Sequence, residues 1–124
     1  MAHGQMTHIE IPADDLPRAR KFYSELLGWE IGDMPEFPDY PLFTFGAIER
    51  AGGALGLRGK TVGNQLRVYF DVDSIDAVLP NVAKLGGKVV EAKTEIPGMG
   101  WFAVIDDTEG NQVALYQSMP QPTM

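Results

Sequence analysis

The chain has 124 residues, of which 44% are apolar and 22% charged, ordinary values for a globule that buries a core rather than for a disordered tail. Lysine and arginine number 10 against 17 aspartates and glutamates, and the resulting charge of -7 argues against a general binder of phosphate backbones. The absence of cysteine excludes disulfide frameworks, zinc fingers, iron–sulfur clusters and thiol nucleophiles, and only two histidines remain for metal or acid–base work. The length suits one domain. No apolar run approaches the roughly 20 residues of a membrane span, and the opening MAHGQM lacks a signal-peptide core. The expected setting is the cytoplasm, with neither a membrane nor a nucleic acid as partner.

In chain order, Ile9 and Ile11 alternate with His8 and Glu10, which predicts a strand with one face on a core. Asp14 and Asp15 can cap a helix whose first turn holds Pro17 and whose apolar stripe is Leu16, Ala19, Tyr23 and Leu26. Gly28 ends that helix, and residues 29–32 read as a strand. The segment MPEFPDYP (34–41) reads as a proline-stiffened loop carrying Phe37 and Tyr40, either a lid or a surface hairpin. Residues 42–45 and 52–57 read as strands, and the glycines of AGGALGL (51–57) let the chain bend sharply. This is no phosphate-binding loop, because the lysine and the following helix are missing. RGKTVGNQ (58–65) reads as an exposed crossover.

The pattern then repeats. Residues 11–31 lie over residues 70–90 with a shift of 59, so that Ala13 meets Val72, Asp14 meets Asp73, Leu16 meets Ile75, Leu26 meets Leu85 and Gly28 meets Gly87. Ser74 caps the second helix, with Ile75, Val78, Val82 and Leu85 on its stripe and Gly86-Gly87 at its stop. Pro80 predicts a bend or break over residues 76–80, since an interior proline costs on the order of 3 kcal/mol. Residues 88–93, 101–105 and 112–117 read as strands, the loop IPGMGW (96–101) is the counterpart of MPEFPDYP, and Gly98 and Gly100 give it hinge-like freedom. With a shift of 60, Leu42 meets Phe102, Phe45 meets Ile105 and Ala54 meets Ala114. Each half is βαβββ: one module over about 6–58, a linker over 58–65, a second module over 66–117, and a loose tail over 118–124.

Three strings carry a family resemblance: HIEIPADDLPRARKFYSELLGWEI, VYFDVDSIDAVLPNVAKLGGKVV, and WFAVIDDTEGNQVALYQ with its DDTEGN turn. The chain resembles the vicinal oxygen chelate superfamily, which includes glyoxalase I, bleomycin-resistance proteins, extradiol dioxygenases and fosfomycin-resistance enzymes. The resemblance implies an α+β fold in which two tandem βαβββ modules curl eight strands into a cup. In metal-using relatives a histidine or glutamate from each of four inner strands holds a divalent ion there, and the ion polarises the substrate as a Lewis acid.

Of the four positions that the resemblance implies, His8 holds a ligand type; Arg67, Ala54 and Ala114 stand at the others. Arginine has no lone pair to offer, and a divalent site needs about three protein ligands, so the expectation is a cup without the complete site and without a cofactor. The alternative is zinc, nickel, manganese or iron held by His8, Glu10 and further donors. Glu49 lies near a strand turn and faces solvent in this reading, and His3 has no assigned role. Alternation places His8, Glu10, Ala54, Gly56, Arg67, Tyr69, Gln112, Ala114 and Tyr116 on one interior. Arg67 either pairs with Glu10 or holds a carboxylate or phosphate, the ion pair being simpler because a buried arginine needs a partner.

Three functions stay open. The first is a glyoxalase-like protein that binds a small organic molecule without the full metal site. The others are a metal-dependent lyase or dioxygenase using His8 and Glu10, and a drug-sequestering resistance protein of the bleomycin type. No catalytic residue is assigned, although His8 could serve as a general base with Tyr69 or Tyr116 as proton donor. A homodimer is expected, since family members commonly pair their modules and a lone module leaves open sheet edges.

Overall fold

The structure, a computed structural model, describes residues 3–44 and 52–120; Phe45, Glu49 and Ala51, and residues 121–124 of the predicted tail, lie outside the described residues. Eight strands and two helices are present among the described residues, in the order β1 (Met6–Ala13), α1 (Leu16–Leu27), β2 (Gly32–Met34), β3 (Phe37–Thr44), β4 (Gly52–Leu57), β5 (Arg67–Asp71), α2 (Ile75–Lys84), β6 (Lys88–Ile96), β7 (Gly100–Asp106) and β8 (Gln112–Ser118). The α+β repeat of two βαβββ modules is therefore present. Neither helix is long and apolar enough to cross a membrane.

Two compact units divide the chain, one spanning Thr7–Val68 and the other running from Tyr69 onward together with residues 3–6. In the first the strand order is β2-β3-β4-β1, with β1 and β4 parallel and the other pairs antiparallel. Its sheet has one face on α1: Ile31, Phe43 and Leu55 are buried there, packed by Ile9, Ile11, Leu16, Ala19, Tyr23 and Trp29. Trp29 lies in that layer rather than in a strand, its ring 5.2 Å from Tyr23 and 4.1 Å from Phe43. This stacking holds residues 29–31 out of the sheet, so β2 starts at Gly32 and not at 29 as predicted. The opposite face carries His8 and Glu10, since alternate strand residues point to opposite sides.

The helix signals hold. Asp15 accepts the Arg18 N–H at 3.0 Å as the N-cap, an interaction worth about 1 kcal/mol, while Asp14 pairs with Arg58 at 2.9 Å. Gly28 closes α1 with φ 73. Leu26 does not belong to the stripe: it lies at the end of α1 and is 64% exposed.

In the second unit the order is β5-β8-β7-β6, again with one parallel pair, β5 with β8. The helix face buries Val72, Ile75, Ala103 and Leu115 beneath Val78 and Leu79. The α2 helix runs unbroken through Pro80, so the break that was one of the two alternatives over residues 76–80 is absent. Pro80 has no N–H to offer the carbonyl of Asp76, but that carbonyl lies in the exposed first turn, where water can take the place of the missing donor. The helix ends at Lys84, so Leu85 falls at the cap and is 76% exposed, off the stripe. Gly86 rather than Gly87 takes the positive φ, at 96.

The repeat register needs one correction. Leu42 pairs with Ala54, whereas Ala114 pairs with Val104, so Leu42 corresponds to Val104 and not to Phe102. The shift of 59 in β1 and of 60 in β4 stands, because Glu10 pairs with Ala54 as Tyr69 pairs with Ala114. The DDTEGN turn is built by Asp107, whose carboxylate accepts the backbone N–H groups of Glu109 at 2.8 Å and Asn111 at 2.9 Å. The tail is not loose at its start: β8 extends to Ser118, and the Met119 N–H donates to Met99.

Candidate functional site

The segment predicted as a loop at 34–41 is a hairpin. Met34 pairs with Phe37 and Gly32 with Leu42, so five residues of advance on β3 face two on β2, and three residues bulge out. Pro38 and Pro41 lack the N–H needed for a continuous ladder. Between them Asp39 takes φ 57, a left-handed conformation that aspartate tolerates better than most residues. The Thr61 hydroxyl fixes this backbone: it donates to the Asp39 carbonyl at 2.8 Å and accepts the Leu57 N–H at 2.7 Å. The 58–65 segment is therefore more than a crossover, and its Val62 is buried against Gly56.

The bulge aims Tyr40 at β1. Its hydroxyl donates to Glu10 Oε2 at 2.6 Å and lies 2.8 Å from His8 Nε2. The two rings are stacked, with centroids 6.1 Å apart. Glu10 is only 7% exposed, and a charge-assisted bond from a phenol is a strong compensation for burying a carboxylate. Burial lowers the His8 pKa from 6.5 to about 4, which leaves the ring neutral at pH 7. A phenol has one hydrogen; with that hydrogen on Glu10, the contact to His8 requires the ring to donate from Nε2–H, and Nδ1 is the basic nitrogen. The result is a directed chain from imidazole to phenol to carboxylate.

The other predicted residues lie as follows. Ala54 is fully buried beside Glu10 across the β1–β4 pair, with no donor to offer. Arg67 opens β5 and is half-buried, with a guanidinium nitrogen near Gly63. In the second unit Tyr69, Val104 and Ala114 are buried together with Phe102 and Tyr116 against them, an aromatic and apolar face where the first unit has a polar one. Burial, and secondly the charge of Asp71, raise the Tyr116 pKa, and its hydroxyl donates to the Met99 carbonyl at 3.0 Å. Gln112 starts β8 and is exposed. The IPGMGW segment is a hairpin turn closed by the Met99 N–H on the Ile96 carbonyl. His3, given no role from sequence, accepts the Asp73 N–H at 3.1 Å. A polar cleft of about 170 Å³ lies among Asp71, Val72, Asp73, Gln117 and Ser118. Gln117 there is engaged by the N–H of Ile75 at the start of α2.

Sequence reasoning missed Tyr40 as a partner of His8 and Glu10, and missed the buried Asp71. The available signal for Tyr40 was the run FPDYPLFT, in which two prolines bracket an Asp-Tyr pair inside an otherwise strand-like pattern.

Among the described residues no three His, Cys, Asp or Glu side chains gather as a metal-binding group. His8 and Glu10 both direct an atom at the Tyr40 hydroxyl rather than at a shared vacancy.

The comparisons agree with this fold. Residues 5–46 match the family described as bleomycin resistance protein-like N-terminal. A glyoxylase-like domain-containing protein of Didymella fabae is 33% identical over 119 residues, which are 91% of this chain and 93% of that protein. A Mycobacterium tuberculosis protein named as a glyoxylase, CFP32, is 30% identical over 120 residues; these are 95% of this chain but 46% of CFP32, so the chain spans about half of that relative's length. The crystal structure of a glyoxalase/bleomycin resistance protein/dioxygenase superfamily member from Vibrio splendidus 12B01 superposes with a TM-score of 0.63 at 14% identity, covering 90% of this chain and 96% of that one. The chain belongs to the family of glyoxylase-like domain proteins.

Proposed function

We propose that the protein binds a small organic molecule against the sheet face that carries His8, Tyr40 and Glu10, without the four-ligand divalent site of metal-using members. The observation that carries this reading is the Tyr40 hydroxyl, within hydrogen-bond distance of both candidate ligands at 2.8 and 2.6 Å. A ligand at this face meets a neutral imidazole, a phenol and a carboxylate, a set suited to neutral polar or cationic groups. Arg67 and the two alanines at the remaining family positions support the same reading. Elemental analysis of protein purified from metal-supplemented cells checks it. The expected zinc, nickel, manganese and iron content is far below one ion per chain. Near-stoichiometric metal that disappears in His8→Ala would overturn the reading in favour of a metal-dependent lyase or dioxygenase.

A second reading is drug sequestration. It is favoured by the match of residues 5–46 to the bleomycin resistance protein-like family, since that stretch contains His8, Glu10 and Tyr40. The charge of -7 is compatible with a cationic drug. Calorimetric titration with bleomycin separates the two: saturable binding weakened by Glu10→Gln supports sequestration, and no heat rejects it.

A further inference from the structure

We propose that Tyr40 is a metal-excluding residue: its hydroxyl stands where a divalent cation bridging His8 and Glu10 would sit, and its removal turns this face into a cation site. The inference rests on the metal-free reading above and adds to it a cause located in one side chain.

The geometry comes first. Tyr40 Oη lies 2.8 Å from His8 Nε2 and 2.6 Å from Glu10 Oε2. Bonds from zinc to imidazole nitrogen and carboxylate oxygen are about 2.0–2.2 Å. A bridging cation would thus need the two side chains to close in by only a little over half an ångström. The hydroxyl and the cation compete for one place. Towards Glu10 the phenol does part of the cation's electrostatic work, since its hydrogen faces the carboxylate; towards His8 it opposes a cation, because its oxygen holds the hydrogen on Nε2, the nitrogen whose lone pair the cation would need.

The second argument is that the hydroxyl's placement is built. Three extra residues in β3, a left-handed Asp39 and the Thr61 clamp all act on the backbone immediately before Tyr40. The second module has no such bulge beside its turn: the β6–β7 hairpin keeps one register from Ile96–Gly100 to Thr94–Phe102, and its register shifts lie farther from the turn, between Val89 and Thr94. At the positions matching His8 and Glu10 it has Arg67 and Tyr69, which provide no pair of ligands to guard. The bulge therefore accompanies the only pair of metal-competent side chains at matched positions of the described strands.

Titration of the full, chelator-stripped chain with Co²⁺ at neutral pH tests this, followed by calorimetry and by the visible absorption of the coordinated ion. Wild type is expected to show no saturable binding. Tyr40→Ala, which removes the ring as well as the hydroxyl, is expected to bind one Co²⁺ at least about tenfold more tightly than wild type, the equivalent of about 1.4 kcal/mol. The gain should vanish when His8→Ala is added. Tyr40→His, which supplies a third donor, is expected to bind more tightly still and decides the matter if Tyr40→Ala fails to fold by circular dichroism. Folded variants that bind no better than a metal-free wild type overturn the inference and leave the metal-free reading intact. A wild type that already binds Co²⁺ through His8 as tightly as the variants overturns both.

Discussion

Replacing Gly53 by alanine is expected to cost about 3 kcal/mol or more, at or beyond the upper end for inserting a methyl group into a packed interior. A Cβ there would lie 2.2 Å from the Ile9 carbonyl oxygen and 2.8 Å from both Ile9 Cγ2 and Phe43 Cζ. A flexible side chain could swing aside, but the Ile9 oxygen belongs to the backbone of β1. Gly53 sits on β4 between β1 and β3, paired with Ile9 on one side and Phe43 on the other, so neither neighbour can yield without breaking a ladder. Gly32 is the control: a Cβ there meets nothing within 4 Å, and Gly32→Ala should stay within about 0.5 kcal/mol of wild type. Denaturant unfolding checks the pair. Equal midpoints for the two variants would mean that the strands do not approach as closely as described.

The second large effect is a loss of stability in mild acid that originates at His8. Its folded pKa of about 4 lies below the value of 6.5 for a free imidazole because burial disfavours the charged ring. Between those values the unfolded chain binds a proton that the folded chain does not. Stability is thus fully present above pH 6.5 and is lost as pH falls towards and through 4. The whole shift corresponds to about 3 kcal/mol, and about 2 kcal/mol is expected because the ring is only half-buried. His8→Gln keeps an N–H for Tyr40 but cannot be protonated in this range. The expected result is a flatter dependence of unfolding free energy on pH in the variant from 6.5 to 4. Parallel curves would show that His8 is not held neutral.

The βαβββ repeat was legible because its signals are local. Caps at Asp15 and Ser74, Pro17 in a first helical turn and Gly28 at a helix end each solve a backbone problem within a few residues, and β4 was read to its observed limits of Gly52–Leu57. His8 and Glu10 were placed on one strand face by alternation alone. What sequence could not give were contacts between residues far apart in the chain. Tyr40 reaches His8 across 32 positions, and only the bulge in β3 makes that contact. The prolines at 38 and 41 argued for a loop, whereas the strand accommodates them by bulging between its paired segments. The β4 glycines were read as bends, yet none of Gly52, Gly53 and Gly56 has a positive φ; a Cβ at each would collide with a neighbour, and close approach is their reason. The repeat slipped in β3 and β7 because both its hairpin and its turn differ in length between the modules, and pattern matching spread the difference over the wrong residues.

The Tyr40 phenol joins His8 to Glu10. Nitrogen-15 NMR of the His8 imidazole across a pH titration tests this link most directly. The predicted result for His8 is a neutral ring protonated at Nε2 that persists to below pH 5, with unchanged shifts when Zn²⁺ is added at pH 7. An His8 ring that titrates near 6.5, carries its hydrogen on Nδ1, or moves on addition of Zn²⁺ would contradict the account.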